Sequence, residues 1–358
     1  MVNWDHQDED DDPSCPRTKD LADAQDVCRK LDIEFHQVNF TKEYWNKVFL
    51  NFLENFKIGR TVLADADCNR CIKFDMLHKY AVDKLSADYI ATGHFARTAI
   101  ADNGLVKLLK SRDPLKDQTY FLSKLSQSQL RRSLFPVGGM IKPEVKQIAI
   151  NVGLEKTASR QESMGICFVG KKKLFSEFLD KYIEPVTHGR FVDAESGETF
   201  EDLSHTGIHN FTIGKRIRLA SMISCTSVEN DGLYVSGTNF ATQTVYLCRG
   251  SHHPSLFTRT FLISLPYWIS EDSWQTDRLL GRDWCSLRFC LQRTYQPVQC
   301  RLSRCPSGSP YLLVESRLPI RAVSPGQLCA FYSGDECLGS AEVECVQETL
   351  MGPVKNGQ

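Results

Sequence analysis

The stretch Asp88-Tyr89-Ile90-Ala91-Thr92-Gly93-His94 is a short apolar strand that runs into a glycine, and helical patterns precede it. Apolar residues at spacings of three and four predict helices over 19–31, 42–57 and 69–85, and the run 33–38 is typical of a second strand. Helices that alternate with short apolar strands indicate a parallel, doubly wound sheet. Ligands bind beyond the carboxyl ends of the strands in such sheets, so Gly93 and His94 lie at a candidate site.

The sequence pattern divides the chain into three domains. Residues 1–165 form the α/β domain, and 166–230 form a small central domain. Over 231–346, short alternating runs are separated by Gly, Pro, Ser and Asp, which predicts an all-β domain, most simply a small barrel; residues 347–358 are a tail. The runs lie at 233–235, 244–247, 286–289, 311–314 and 329–332.

The composition limits the class of protein. The 358 residues include 43 Lys and Arg against 44 Asp and Glu, but six acids lie within residues 1–12, which leaves 38 acids and 43 bases in the rest of the chain. A mildly basic body can hold a phosphate backbone. No apolar run reaches about 18 residues, so no membrane span is predicted. Fourteen cysteines without a visible secretory signal favour a reducing compartment, with most thiols buried.

The pair Cys68-Asn69-Arg70-Cys71 permits several interpretations. It could belong to a zinc site, although no second ligand pair stands at a conventional spacing, or it could be a thioredoxin-like redox pair. Cys68 could also be a single reactive thiol at the N-terminus of helix 69–85, where the helix dipole lowers a thiol pKa, or a core cysteine. Spacing alone leaves these interpretations open. Cys167, in an apolar segment with a glycine on either side, is more often a buried thiol than a catalytic one when it is judged without a resemblance.

Several known motifs are absent from the sequence. There is no GxxxxGK[ST] and no GxGxxG, so the common phosphate-binding loops are missing. There is also no HExxH and no GxSxG, which argues against a zinc protease and a serine hydrolase.

Other segments, taken together, match one family. The chain resembles the tRNA-specific 2-thiouridylases, and is most similar to their mitochondrial branch. The matching segments are colinear: residues 1–5 (MVNWD), 42–49 (KEYWNKVF), 65–74 (DADCNRCIKF), 91–97 (ATGHFAR), 116–122 (KDQTYFL), 162–170 (ESMGICFVG), 211–216 (FTIGKR) and 324–339 (SPGQ…FYSGDECLG).

The resemblance implies a fold and a reaction. The expected fold is an α/β ATP-pyrophosphatase domain with a Rossmann-like parallel sheet, followed by a small central domain and a C-terminal β-barrel. The expected reaction replaces O2 of the wobble uridine, position 34 of the tRNA, with sulfur after ATP has adenylated that oxygen. By resemblance, Cys68 is the nucleophile, Cys167 carries the persulfide and forms a transient disulfide with Cys68, and Asp65 faces the target base.

The resemblance also implies binding residues, partners and a location. ATP, with Mg²⁺, is expected at Gly93 and at the backbone of Met1, and no resident metal is expected. The partners are the anticodon loop of a tRNA and a protein that donates persulfide sulfur, and the location is mitochondrial. The residues expected to contact tRNA are His94, Lys116, Asp117, Gln118, Arg288, Phe289 and Gln327.

One family motif is missing. The S-G-G-x-D-S nucleotide loop, whose backbone N–H groups would cradle phosphate, does not occur in this sequence. We therefore expect either an N-terminally truncated form of a working enzyme, with the first strand missing, or a catalytically inactive product that still binds tRNA. A redox or metal protein that uses Cys68 and Cys71 is the third hypothesis.

Overall fold

The computed structural model describes residues 1, 16–160, 178–185, 189–217, 232–270, 279–281, 287–292, 296–305 and 308–354. These residues form two compact units. The first unit contains the described residues within 1–50, 64–175 and 335–337, and the second contains those within 51–63, 176–334 and 338–358. Over the described ranges, no helix is both long enough and apolar enough to cross a membrane.

Most of the helices in the described part of the chain lie before residue 160. They are Pro16–Lys30, Thr41–Tyr44, Trp45–Phe49, Leu50–Lys57, Ala64–Cys68, Asn69–Met76, Leu77–Leu85, Thr119–Leu122, Gln127–Leu130, Lys142–Asn151 and Glu155–Ala158, with Trp45–Phe49 and Asn69–Met76 in π-helical geometry. Short 3₁₀ turns occur at Ile208–Asn210 and Pro254–Leu256. The three helices predicted from the sequence are confirmed, although the one expected over 69–85 begins earlier.

Apolar periodicity explains why the segment 41–57 is helical. Tyr44, Val48, Phe52 and Phe56, spaced four residues apart, are between 0% and 9% exposed, so a single helical stripe is buried. The helix Leu77–Leu85 ends because Ser86 adopts a left-handed conformation with a φ of 52°, and its N–H donates to the carbonyl of Ala81.

The predicted parallel sheet is present in the first unit as one pair of strands. Ile90–Ala91 runs parallel to Ser133–Leu134, with Ile90 opposite Ser133. The strand predicted over 33–38 is wrong: these residues form no strand, and Ile33 is 58% exposed. An apolar strand needs a neighbour that pairs its backbone and covers its side chains, and none of the described residues provides one for this segment.

An antiparallel hairpin follows the parallel pair. Its strands are Ala96–Ile100 and Val106–Lys110, and the second also pairs with Glu336 and Cys337. Because these two residues come from far along the chain, the first unit is completed by a contact that local sequence patterns do not reveal.

The second unit contains a five-stranded sheet. Its order is Thr199–His205, Gly189–Asp193, Thr244–Arg249, Leu233–Asn239 and Arg216–Ile217. An apolar core cluster of this part contains Phe191, Ile208, Val235, Val245 and Leu247. The runs 233–235 and 244–247, which the sequence pattern places in the C-terminal barrel, form strands as predicted but pair in this sheet instead.

A closed antiparallel barrel has six strands, all of which lie in the second unit except for Glu336 and Cys337 at the start of the last strand. In order around the barrel these are Phe257–Ile263, Leu312–Arg321, Val298–Arg304, Arg288–Cys290, Leu328–Ser333 and Glu336–Cys345, and the last pairs with the first. The interior is apolar and includes Phe261, Phe289, Val314, Phe331 and Val343. Shorter strands lie at Tyr267–Trp268, Glu348–Thr349 and Gly352–Pro353. The small barrel predicted from the alternating runs is confirmed.

Candidate active site

The helix Ala64–Cys68 carries two of the predicted site residues. Asp65 and Cys68 are three residues apart, so they lie on the same side of the helix, and Cys68 is 3% exposed. The expectation that Cys68 opens a helix is wrong, since the helix begins at Ala64 and continues through Cys68 into Asn69–Met76. Asp65 and Asp67 favour this earlier start because acidic side chains stabilise the first turn. The dipole effect on Cys68 is correspondingly weaker than at a first helical residue.

A stripe of polar side chains continues from Asp65 along the same helix. Asp65, Asn69 and Lys73 are spaced by four residues. Lys73 Nζ donates to Asn69 Oδ1 at 3.0 Å, and Asn69 Nδ2 donates to the carbonyl of Phe121 at 3.1 Å. Burial raises the pKa of Asp65, and the positive charge of Lys73 partly opposes this. Sequence reasoning assigned no role to Asn69 or Lys73, although their spacing from Asp65 was visible.

The second cysteine of the CxxC pair has a different character. Cys71 is half-buried, and its pKa is raised, first by burial and then by the charge of Asp67. A thiol with a raised pKa is a poor nucleophile. Among the cysteines that the structure describes, none forms a disulfide bond. The described residues also contain no group of three side chains suited to bind a metal ion.

Gly93 and His94 follow the strand Ile90–Ala91, at the carboxyl end of the parallel pair. His94 Nδ1 lies 2.9 Å from Thr92 Oγ1, and its ring lies 5.6 Å from that of Phe74. Burial, helped by the positive charge of Lys73, lowers the pKa of His94 to about 3, so the imidazole is neutral at physiological pH. A Cβ placed on Gly93 would meet nothing within 4 Å, so the space beside this glycine is open.

The segment Lys116-Asp117-Gln118 is built into the same unit. Gln118 Oε1 accepts the N–H of Phe95 at 2.9 Å, and the N–H of Gln118 donates to the carbonyl of Phe95 at the same distance. Asp117 accepts hydrogen bonds from Ser111 N at 2.8 Å and from Thr119 Oγ1 at 2.6 Å. Burial nevertheless raises the pKa of Asp117. Gln118 therefore holds the backbone of Phe95, the residue that follows His94, through two hydrogen bonds.

The first unit thus brings several predicted site residues into one neighbourhood. Lys73 lies within electrostatic range of both Asp65 and His94. Met1 belongs to this unit as well; its side chain is 43% exposed, and burial lowers the pKa of its α-amino group. Cys167 lies outside the described residues, and so does the expected Cys68–Cys167 disulfide.

The remaining predicted residues lie in the second unit. Arg288 is exposed on a barrel strand, whereas Phe289 is 2% exposed and packs against Phe261 with ring centroids 5.4 Å apart. A contact between position 289 and RNA would involve its backbone rather than its ring. Gln327 closes a turn, in which its Oε1 accepts the N–H of Ser324 at 3.1 Å.

Three family models match the chain. Residues 1–171 match the tRNA methyl transferase HUP domain, 176–249 the tRNA methyl transferase PRC-barrel domain, and 258–343 the aminomethyltransferase beta-barrel domain. The HUP match agrees with the Rossmann-like parallel sheet, and the other two agree with the central sheet and the barrel.

Curated proteins match over almost the whole chain. The probable mitochondrial tRNA-specific 2-thiouridylase 1 of Caenorhabditis elegans is 46% identical, over 98% of this chain and 92% of that protein. The human mitochondrial tRNA-specific 2-thiouridylase 1 is 37% identical, over 96% and 83% of the two chains. The tRNA-specific 2-thiouridylase MnmA of Levilactobacillus brevis is 39% identical, over 96% and 87%.

Proposed function

Because the chain belongs to the tRNA-specific 2-thiouridylase family, we propose that it is a tRNA sulfurtransferase that replaces O2 of the wobble uridine with sulfur. A mitochondrial location is part of the proposal, since the relatives from Caenorhabditis elegans, Drosophila melanogaster and human are named mitochondrial. We also propose a domain boundary near residue 165 and, because the strands Leu233–Asn239 and Thr244–Arg249 pair in the central sheet, a second boundary after Arg249 rather than near 230.

The placement of Asp65 and Cys68 carries the proposal. A carboxyl group with a raised pKa and a buried thiol lie one helical turn apart, and the charge of Lys73 acts both on that carboxyl group and on the neutral His94 at the carboxyl end of the parallel strands. A carboxylate can accept the N3 proton of a uracil, and a thiol can attack sulfur. Sulfur transfer to uridine needs both a proton acceptor for the base, which the carboxylate provides, and a sulfur nucleophile, which the thiol provides.

ATP is the proposed activator of the uridine, and it would convert the uracil oxygen into a leaving group. The open space beside Gly93 fits a nucleotide that approaches the backbone closely, and the backbone of Met1 would complete that site. Magnesium would be held mainly by the phosphates of ATP, as is usual for this ion.

Sulfur transfer would then use two thiols. The terminal sulfur of a persulfide on Cys167 bonds to C2 of the uridine as the activated oxygen departs. The thiolate of Cys68 next attacks the Cys167 sulfur, so a Cys68–Cys167 disulfide forms and the transferred sulfur remains on the base. A persulfide-donating protein would supply the sulfur, and an external dithiol would reduce the disulfide. In this scheme Asp65 faces the base, while His94, Lys116, Asp117, Gln118, Arg288, Phe289 and Gln327 contact the tRNA.

The test uses the full chain with tRNA, ATP and a persulfide donor, and measures 2-thiouridine by mass spectrometry of the digested tRNA. We expect Cys68→Ser and Cys167→Ser each to lower product formation by at least about 10³-fold, because each removes a reacting sulfur. Cys71→Ser is the matched control and should retain activity.

Two outcomes would contradict the assignment: thiolation that survives Cys68→Ser, or an equal loss in Cys71→Ser. A chain that binds tRNA but yields no 2-thiouridine would instead favour the non-catalytic tRNA-binding function.

A further inference from the structure

A largely buried ion pair lies immediately before Cys68 in the chain. Lys124 Nζ is 2.9 Å from Asp67 Oδ1, and the two side chains are 15% and 14% exposed. Asp67 precedes Cys68 on the helix Ala64–Cys68, which packs against Thr119–Leu122. The carboxylate next to the thiol is therefore matched by an ammonium that comes from a separate segment.

The residues after Cys68 are tied to that same segment. Asn69 is 2% exposed and donates to the carbonyl of Phe121, and Gln129 Nε2 donates to the carbonyl of Arg70 at 2.7 Å. Positions on both sides of Cys68 are thus held by residues of 121–129.

A carboxylate on the residue that precedes a buried thiol has an electrostatic consequence. It disfavours the thiolate, because two negative charges repel strongly where little water screens them. The effect is visible at Cys71, whose pKa is raised in part by the charge of Asp67. An ammonium at hydrogen-bonding distance from the carboxylate cancels most of this repulsion.

We propose that Lys124 is a positioning residue for Cys68, which neutralises Asp67 and thereby preserves surroundings in which the Cys68 thiolate can form. The inference rests on the proposed role of Cys68 as the nucleophile. It assigns a function to two residues, Asp67 and Lys124, that the sequence motifs left without one.

Other ionisable groups surround the same helix. Lys47 lies on the packed segment Trp45–Phe49, Tyr120 on Thr119–Leu122, and His94 after the strand Ile90–Ala91. The helix itself and its continuation carry Asp65, Arg70, Cys71, Lys73 and Asp75. All of these stay unchanged in the variants below, so a change in Cys68 reactivity would come from the ion pair.

The experiment measures alkylation of Cys68 in the full chain by iodoacetamide as a function of pH, with the modified peptide quantified by mass spectrometry. In Lys124→Met the midpoint should rise by about one pH unit, because Asp67 is left uncompensated. In Asp67→Asn it should fall by about as much, because an ammonium then remains alone. The double variant Asp67→Asn/Lys124→Met should lie near the original midpoint.

The matched control is Lys107→Met, the same substitution in the more exposed Lys107–Glu336 pair, whose atoms are 3.1 Å apart. It should leave the midpoint unchanged. A purely structural role would disturb both single variants in the same direction, so shifts of one sign, or no shift in either, would overturn the proposal. Should Lys124→Met fail to fold, Asp67→Asn decides alone, and the absence of a downward shift would refute the proposal.

Alkylation needs neither tRNA nor ATP, so the two proposals fail separately. Opposite shifts in a chain that makes no 2-thiouridine would reject the sulfurtransferase function and retain the charge compensation. Full thiolation without any shift would reject the charge compensation alone.

Discussion

Cys68 in the first unit and Cys329 in the barrel are both buried thiols, yet their surroundings differ. Cys329 is 0% exposed among apolar side chains and the thiols of Cys290 and Cys300, and burial raises its pKa well above the usual value. Cys68 is nearly as buried, but charged and amide side chains flank it in sequence and across the packed helices. Burial alone makes a thiol inert, and the groups around it decide whether it can become a nucleophile.

The same contrast separates the two regions as a whole. The barrel interior is closed by six paired strands and filled with aromatic and aliphatic side chains, so its cysteines act as small apolar residues. The candidate site instead contains a carboxyl group, an imidazole and ammonium groups in partly buried positions. We therefore expect substitutions in the site to change activity, and substitutions in the barrel interior to change stability.

After the two cysteine variants, the largest expected effect concerns Asp65. Asp65→Asn should lower the rate of thiolation by about 100-fold, because the amide cannot accept a proton from the base. Burial raises the pKa of Asp65, so the original chain should lose activity as the pH falls through that raised pKa, and this acid limb should vanish in the variant. Initial rates of 2-thiouridine formation across a pH series provide the measurement.

Asp335→Asn is the matched control for Asp65→Asn. Asp335 is 71% exposed and pairs with Arg97 at 3.5 Å within the same unit. Its variant should keep both the rate and the acid limb, whereas an unchanged rate in Asp65→Asn would contradict the role of Asp65 at the base.

Cys329→Ser tests the barrel side of the comparison. Placing a hydroxyl in this apolar interior should lower the free energy of unfolding by about 2 kcal/mol. Thiolation per folded molecule should stay the same. Urea denaturation followed by tryptophan fluorescence measures the first quantity, and Cys329→Ala should cost less because it buries no polar atom. A loss of activity in Cys329→Ser without a loss of stability would break the comparison.

The sequence predicted the features that depend on local order. The stripe of Tyr44, Val48, Phe52 and Phe56 shows how spacing predicts a buried helix face, and the strand before Gly93 was recognised from its apolar run. The apolar periodicity does not predict the start of the Cys68 helix, because its first turn at Asp65 and Asp67 is acidic rather than apolar.

Contacts between distant parts of the chain could not be predicted. Asp67 and Lys124 are separated by 57 residues, and Cys337 pairs with a strand of the first unit that ends at Lys110. Alternation predicts that Leu233–Asn239 is a strand, but it does not determine which sheet the strand joins. Partners of this kind are selected by packing in three dimensions, and only the structure reveals them.

The smallest expected effect near neutral pH is the pH dependence that His94 gives to the stability of the first unit. The pKa of His94 is lowered from 6.5 to about 3 in the folded chain, so the unfolded chain takes up this proton first as the pH falls. Stability is therefore unaffected by His94 above pH 6.5 and is lost progressively between 6.5 and 3. The loss should be about 1 kcal/mol per pH unit, somewhat below the ideal slope because the side chain is only partly buried.

The variant His94→Gln should flatten this pH dependence of the free energy of unfolding, as measured by urea unfolding on both sides of pH 6.5. The control variant His252→Gln, at an exposed histidine, should leave this pH dependence of stability as it is in the original chain. Equal slopes in the original chain and in His94→Gln would show that His94 is not held neutral, and would remove one of the features that set the candidate site apart from the barrel.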